Sequence, residues 1–194
     1  MNYLAHAYLS FGEPQILVGN MISDFVKGKK QYEYSPVIQK GIQLHRAIDT
    51  FTDGHDVTQK AKSFFKTDYR LYAGAFIDIV YDHFLATDKN IFPSEEDLQQ
   101  LAIFTYNTLQ NHFNFLPEKF QKMLYWMENQ NWLYNYQFNW GIEKSFQGLV
   151  KRSKYLKESA TAFRIFEQNY DALKEYYYSF IEDILGMTKS YLDQ

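Results

Sequence analysis

Residues 76–86 read FIDIVYDHFLA, with seven aliphatic or aromatic apolar residues among eleven and an eighth in Tyr81. So apolar a run belongs in a core, yet it carries Asp78, Asp82 and His83. Extended outward, Leu71, Ala75, Asp78, Asp82 and Leu85 recur at helical spacing, which puts both carboxylates on one face of a buried helix. The fold and the function both turn on what those carboxylates meet.

The same habit recurs in three other segments. In SPVIQKGIQLHRAIDTF the apolar stripe Ile38, Gly41, Ile42, His45, Ile48, Asp49 sets His45 and Asp49 four apart. Asn20 and Asp24 are four apart beside Ile16, Leu17, Met21 and Ile22, and NYLAHAYL repeats the spacing with Asn2 and His6. Four segments thus present i, i+4 polar pairs from largely apolar surfaces.

Periodicity near 3.6 prevails along the chain, and only four prolines and nine glycines interrupt it. A helix is expected from about Gln15 to Lys27, closed by Gly28. Ser35 is its successor's N-cap with Pro36 at the first helical position, and that helix ends at the Asp53-Gly54 turn. Asp56 and Asp68 are candidate caps for the next two helices, and Ser94 with Asp97 has the form of a capping box. A final helical region is expected from about Glu158 to Tyr191. With no repeat, linker or low-complexity tract, one all-α domain spanning residues 1–194 is the expectation, a compact multi-helix bundle. The aromatic content of 19% reads as interhelical packing.

Composition narrows the function. The formal net charge of −3 gives no general attraction to nucleic acid. The absence of cysteine excludes thiolate zinc sites, iron–sulfur clusters and a cysteine nucleophile. MNYLAHAYLSFGEPQ has neither a basic n-region nor a small-residue cleavage site, and no apolar run approaches bilayer length. No membrane association and a cytoplasmic location are therefore expected; oligomeric state is not encoded in any visible pattern.

An ionised carboxylate in a core must be paired, protonated or bound to a metal. The evident cations, Arg46 and Arg70, are outnumbered by Asp24, Asp49, Asp53, Asp78 and Asp82, while His6, His45 and His83 lie close in sequence. Any one pair is explained by a hydrogen-bonded partner in the protein. Four together point to a mixed oxygen and nitrogen ligand set of the kind Mn²⁺ or Mg²⁺ takes, and so to a metal-assisted hydrolase.

The blocks MNYLAHAYLS, GNMISDFVKG, GIQLHRAIDTFTD and DIVYDHFLA, with the spacing between them, resemble the acyl carrier protein phosphodiesterase family. The resemblance is close over about residues 1–86; GLVKRSKYL at 148–156 is only distantly similar to a basic segment of that family. It implies an HD-phosphohydrolase-like all-α fold. It also implies Mn²⁺-preferring hydrolysis of the phosphodiester that joins 4′-phosphopantetheine to the serine of holo-acyl carrier protein. HD hydrolases are named for an adjacent His-Asp pair, which is inverted here as Asp82-His83. Successive helix residues point about 100° apart, so ligands are assigned from helix faces instead.

On that basis Asp24, His45, Asp78 and Asp82 are the expected metal ligands. Asp49 is expected to accept the second N–H of His45 or to ligate directly. His83 or His6 is the expected general acid for the leaving alkoxide. Arg46 would hold phosphate oxygens with its planar fork, or pair with a neighbouring carboxylate. Asn20 and Asn2 would orient water or phosphate, and His55 and His112 read as packing or surface residues. Lys27, Lys29 and Lys30, directly after the Asp24 segment, are the expected substrate contacts at the rim. The Lys60, Lys62, Lys66, Arg70 group and the Lys151, Arg152, Lys154, Lys157 group are further basic patches able to face an acidic carrier protein. Two other readings stay open: an HD-like hydrolase of a nucleotide or small phosphoester, and a non-catalytic helical module that binds acyl carrier protein.

Overall fold

The structure, a computed structural model, describes residues 1–193. It is all-α, with no strand among the described residues. In chain order the helices are α1 (Tyr3–Tyr8), α2 (Pro14–Ile22), α3 (Pro36–Gly54), α4 (Asp56–Tyr69), α5 (Ala73–Thr87) and α6 (Glu95–Asn111). There follow α7 (Glu118–Asn129), α8 (Trp132–Asn135), α9 (Asn139–Arg152), α10 (Ala160–Gln168) and α11 (Tyr170–Leu192). Short 3₁₀ segments at Ser23–Phe25, Gly28–Glu33, Arg70–Tyr72 and Phe113–Phe115 join some of them. No helix is long and apolar enough to cross a membrane among the described residues.

The helix holding FIDIVYDHFLA is the axis of the bundle. Eleven of the fifteen residues of α5 are buried, and α1, α4, α9 and α11 pack around it. Phe76 meets Tyr69, Phe146 and Phe65 at ring separations of 4.3, 5.0 and 5.7 Å. Phe84 meets Tyr170 and Tyr177 at 5.1 and 5.9 Å. The aromatic residues near α5 therefore serve interhelical packing, as expected.

Several helix ends follow local chemistry. The Ser35 hydroxyl accepts from the Ile38 N–H at 3.4 Å, with Pro36 as the first residue of α3. Ser94 and Asp97 form a reciprocal capping box at α6. Other ends depart from the sequence reading. α2 stops at Ile22 and passes into a 3₁₀ turn, so Asp24 lies beyond the helix and Gly28, at φ +56°, opens the next 3₁₀ segment. Asp68 sits inside α4 and caps nothing, because α4 runs on to Tyr69. The C-terminal helical region breaks at Asn169 into α10 and α11.

One contact sets the geometry of everything that follows. α2 and α3 meet at Gly19 and Gly41, where a methyl group on either glycine would drive into the backbone of the facing helix, at Ile38 O and Ile16 O respectively. That approach brings the Asn20 carbonyl oxygen to 2.7 Å from His45 Nδ1. Gly41→Ala is expected to cost about 3 kcal/mol, because two backbones rather than flexible side chains must separate. Urea denaturation measures it; a cost under about 1 kcal/mol would show that the two helices yield.

Candidate metal centre

Three segments supply the centre: α1 brings His6, α3 brings His45 and Asp49, and α2 brings Asn20, which orients both histidines. The Asn20 amide nitrogen donates to the His6 carbonyl oxygen at 2.8 Å and to Ser10 Oγ at 3.1 Å. A carbonyl only accepts, so the amide orientation is fixed and Asn20 Oδ1 faces His6 Nδ1 at 2.8 Å. His6 Nδ1 therefore donates. His45 Nδ1 donates to the Asn20 backbone carbonyl by the same logic. One residue thus sets the tautomer of two imidazoles and leaves each Nε2 directed away from it.

The two rings stack at 3.9 Å with 14° between their planes. Both Nε2 atoms are buried and lack a partner of hydrogen-bond geometry. His6 Nε2 lies 3.3 Å from Asp49 Oδ1, and His45 Nε2 lies 3.1 Å from Asp49 Oδ2 and 3.5 Å from Asp24 Oδ1. Ligand atoms of His6, His45 and Asp49 all fall within 4.8 Å of one another. Donors about 2.1 Å from a shared ion stand roughly 3–4 Å apart, so this spacing fits a metal.

The electrostatics point the same way. Burial, with the neighbouring His45 charge, lowers His6 to about 4, so at neutral pH its Nε2 lone pair faces carboxylate lone pairs. A cation between them resolves that repulsion. Burial also opposes charge on His45, but the nearby carboxylates of Asp24 and Asp49, at 3.5 and 3.1 Å, outweigh it and raise the group to about 9. Asp49 is held far below the usual carboxylate range by His45, His6 and the Met1 amino group, against its desolvation. His45 must therefore lose a proton to ligate at neutral pH, whereas His6 need not.

Of the expected ligands, the structure brings His45 and Asp24 together, with Asp49 between the two histidines. It does not bring Asp78 and Asp82 into that set. Asp78 Oδ1 sits 2.8 Å from the Met1 amino group, which in turn lies 3.9 Å from Asp49 Oδ1. Asp82 has both oxygens engaged by backbone: Oδ1 accepts from Asn2 and Ala5 at 3.2 Å each, and Oδ2 accepts from Leu4 at 2.8 Å. Burial pushes its carboxyl up to about 7 against the pull of the amino group and these donors. Asp82 thus receives the start of α1 and has no oxygen left without a donor.

The two histidines expected as general acid have different surroundings. His83 lies among other partners, with Nδ1 at 2.7 Å from the Tyr136 carbonyl and Nε2 at 3.0 Å from the Tyr170 hydroxyl. His6 carries its proton on Nδ1, facing Asn20, and has none at Nε2 to give. The inverted Asp82-His83 pair does diverge, one residue to α1 and the other to Tyr136 and Tyr170. Arg46 braces the Gly28–Glu33 segment, donating to Gln31 Oε1 at 3.1 Å and to the Val26 carbonyl at 3.3 Å. Lys27 and Lys30 line a cavity beside Asp24, and Lys29 is exposed outside it. Asn2 donates to the Tyr136 hydroxyl at 2.9 Å. His55 contacts Asp183 and Phe180, and His112 bonds back to Thr108, both packing roles as expected.

Two participants were not foreseen. Ser10 anchors the Asn20 amide and carries no signal of its own in the sequence. The Met1 amino group is a backbone cation that a count of lysines and arginines omits.

Comparison with known proteins adds the following. A family model described as "Acyl carrier protein phosphodiesterase" matches residues 1–184. A protein of that name from Yersinia enterocolitica is 32% identical over 189 residues, covering 97% of this chain and 98% of its own. One from Photorhabdus laumondii is 32% identical over 184 residues, covering 93% of each chain. One from Escherichia coli is 26% identical over 180 residues, again covering 93% of each. No solved structure matches.

Proposed function

The chain belongs to the acyl carrier protein phosphodiesterase family, and from that premise we propose that it hydrolyses the phosphodiester of holo-acyl carrier protein, releasing 4′-phosphopantetheine and leaving the apo-carrier. The observation that carries the reading is the pair of stacked histidines whose buried Nε2 atoms face one carboxylate with no hydrogen-bond partner.

His6, His45 and Asp49 would hold a divalent ion, with Asp24 beside His45 as a fourth donor. Two imidazoles with carboxylates suit Mn²⁺ better than Mg²⁺, which favours oxygen ligands. When bound, such an ion supplies a Lewis acid for the phosphoryl oxygens and lowers the pKa of water toward neutrality.

The protein's own groups do the rest. Asn20 fixes both imidazoles, so the donor set is formed before substrate arrives. Asp24, Asp49 and Asp78 are part-exposed while both histidines are buried, so solvent reaches the centre on its carboxylate side. Asp49, held ionised by two histidines and the Met1 amino group, keeps its negative charge on the ligand site at neutral pH. The Met1 amino group between Asp49 and Asp78 is a positive charge at the same rim.

Intact-mass analysis of holo-carrier tests this reading. Incubation with protein and Mn²⁺ is expected to convert it to apo-carrier, and EDTA is expected to stop the conversion. Loss of the arm in EDTA would remove the metal from the account. A carrier unchanged in Mn²⁺, beside turnover of a small phosphodiester, would favour the small-phosphoester reading.

A further inference from the structure

Two grooves share carboxylates with the surroundings of the centre. Asp24 lines a cavity of about 690 Å³, and Asp78 lines another of about 520 Å³. Given the proposed activity, on which this inference rests, the substrate phosphodiester has two unequal substituents, a folded protein and an uncharged amide chain. In-line attack by water expels the carrier serine on the far side of phosphorus, while the arm stays bonded to phosphorus in the equatorial plane, so the two substituents point in different directions. We propose that the Asp78 groove, with the corner formed by Lys66, Arg70 and Leu71, seats the body of the carrier protein, and that the arm lies in the Asp24 groove.

Lining separates the two. Around the Asp24 groove Lys27, Lys30 and Lys119 are interspersed with Asp24, Glu33 and Glu118. Val26 and Tyr34 give that groove an apolar wall, suited to a neutral chain. On the other side Lys62 is paired with Asp53 at 2.7 Å, and Asp78 is paired with the Met1 amino group. Lys66 and Arg70 line the same groove with no ion-pair partner among the described residues. Two cations outside any ion pair face whatever docks there, which suits an acidic surface.

The corner itself is shaped to protrude. Arg70 has φ +46°, a left-handed conformation that residues other than glycine rarely adopt, and Leu71 beside it is 98% exposed. Both flanks are fixed. Tyr69 is buried and its hydroxyl accepts from the Ala162 N–H at 2.8 Å, while Ala73 is buried at the start of α5. An exposed leucine alone is ordinary. Here a strained backbone between two buried anchors holds it out between cations, in the lining of the groove that Asp78 shares. The partner is therefore an acidic protein face with an apolar recess.

Steady-state kinetics with holo-carrier and with bis(p-nitrophenyl) phosphate, both in Mn²⁺, test the assignment. The double reversal Lys66→Glu with Arg70→Glu is expected to raise the carrier KM at least about tenfold, while turnover of the small diester changes less than about twofold. Leu71→Asp should act in the same direction. Arg70→Gly removes the charge while relieving the backbone, so a raised carrier KM with undiminished thermal stability separates docking from folding. Reversal of Lys27 and Lys30 should raise the carrier KM by less than the first reversal does. An unchanged carrier KM in the Lys66 and Arg70 reversal, with wild type active on the carrier, overturns the assignment, as does a larger effect from Lys27 and Lys30. Failure of the wild type on the carrier, with the small diester still turned over, overturns instead the activity on which the assignment rests.

Discussion

Asp49→Asn is expected to lower carrier hydrolysis by about 10³-fold, equivalent to about 4 kcal/mol of transition-state stabilisation. The substitution keeps volume and one carbonyl oxygen but removes the charge that both histidine Nε2 atoms face at 3.1 and 3.3 Å. Without that charge an ion held there would have two neutral imidazoles and the more exposed Asp24. His45 loses one of the two carboxylates that hold its proton, but its Nδ1 bond to Asn20 is untouched, so the rings stay oriented. Calorimetric titration of Mn²⁺ into the variant should show weakened binding, and circular dichroism an unchanged fold. Activity within tenfold of wild type at equal Mn²⁺ affinity would falsify the placement of Asp49 among the ligands.

Asp82→Ala acts on the fold first. The carboxylate accepts from three backbone N–H groups, those of Asn2, Leu4 and Ala5. Its removal leaves them buried without an acceptor, at about 1–3 kcal/mol each. Because α1 detaches before the whole sum is reached, a loss of about 3–5 kcal/mol is expected, a large share of the stability of an ordinary domain. α1 also carries His6, so Mn²⁺ affinity should fall together with the urea midpoint. The result to look for is this coupling. A variant that keeps its midpoint and loses only the metal would restore Asp82 to the ligand set.

The contrast between these carboxylates shows what the sequence could and could not convey. Helical spacing correctly put Asp82 on the buried side of α5 and His45 on the buried side of α3, with Asp78 and Asp49 part-exposed at the edges of those faces. It could not say what lay opposite. The cations visible in the sequence were arginines and lysines, so an excess of carboxylates pointed to metal. The partners of Asp78 and Asp82 are instead backbone groups, an amino group and the N–H donors at the start of a helix, which every chain has and no side chain announces. His6 was seen as one of a polar pair but assigned to proton transfer, because the Asn20 bond that fixes its tautomer spans helices. Leu71 failed for a different reason. Its spacing continued the α5 stripe by one more turn, and the left-handed backbone at Arg70 ends that stripe without any glycine or proline to mark it. Helix starts set by Ser35 with Pro36 and by Ser94 with Asp97 were legible because all their chemistry is local.

The seating of α1 on Asp82 has a consequence for synthesis. Leu4 and Asp82 are separated by 78 positions. At ribosomal rates of roughly 5–20 residues per second, α1 waits on the order of 4–16 s before its acceptor has even been polymerised. Six residues are too few to hold a helix in water alone. His6 is thus translated ahead of His45 and Asp49, yet its helix has no seat until α5 emerges, and a nascent chain stalled before α5 would carry all three donors with no closed site.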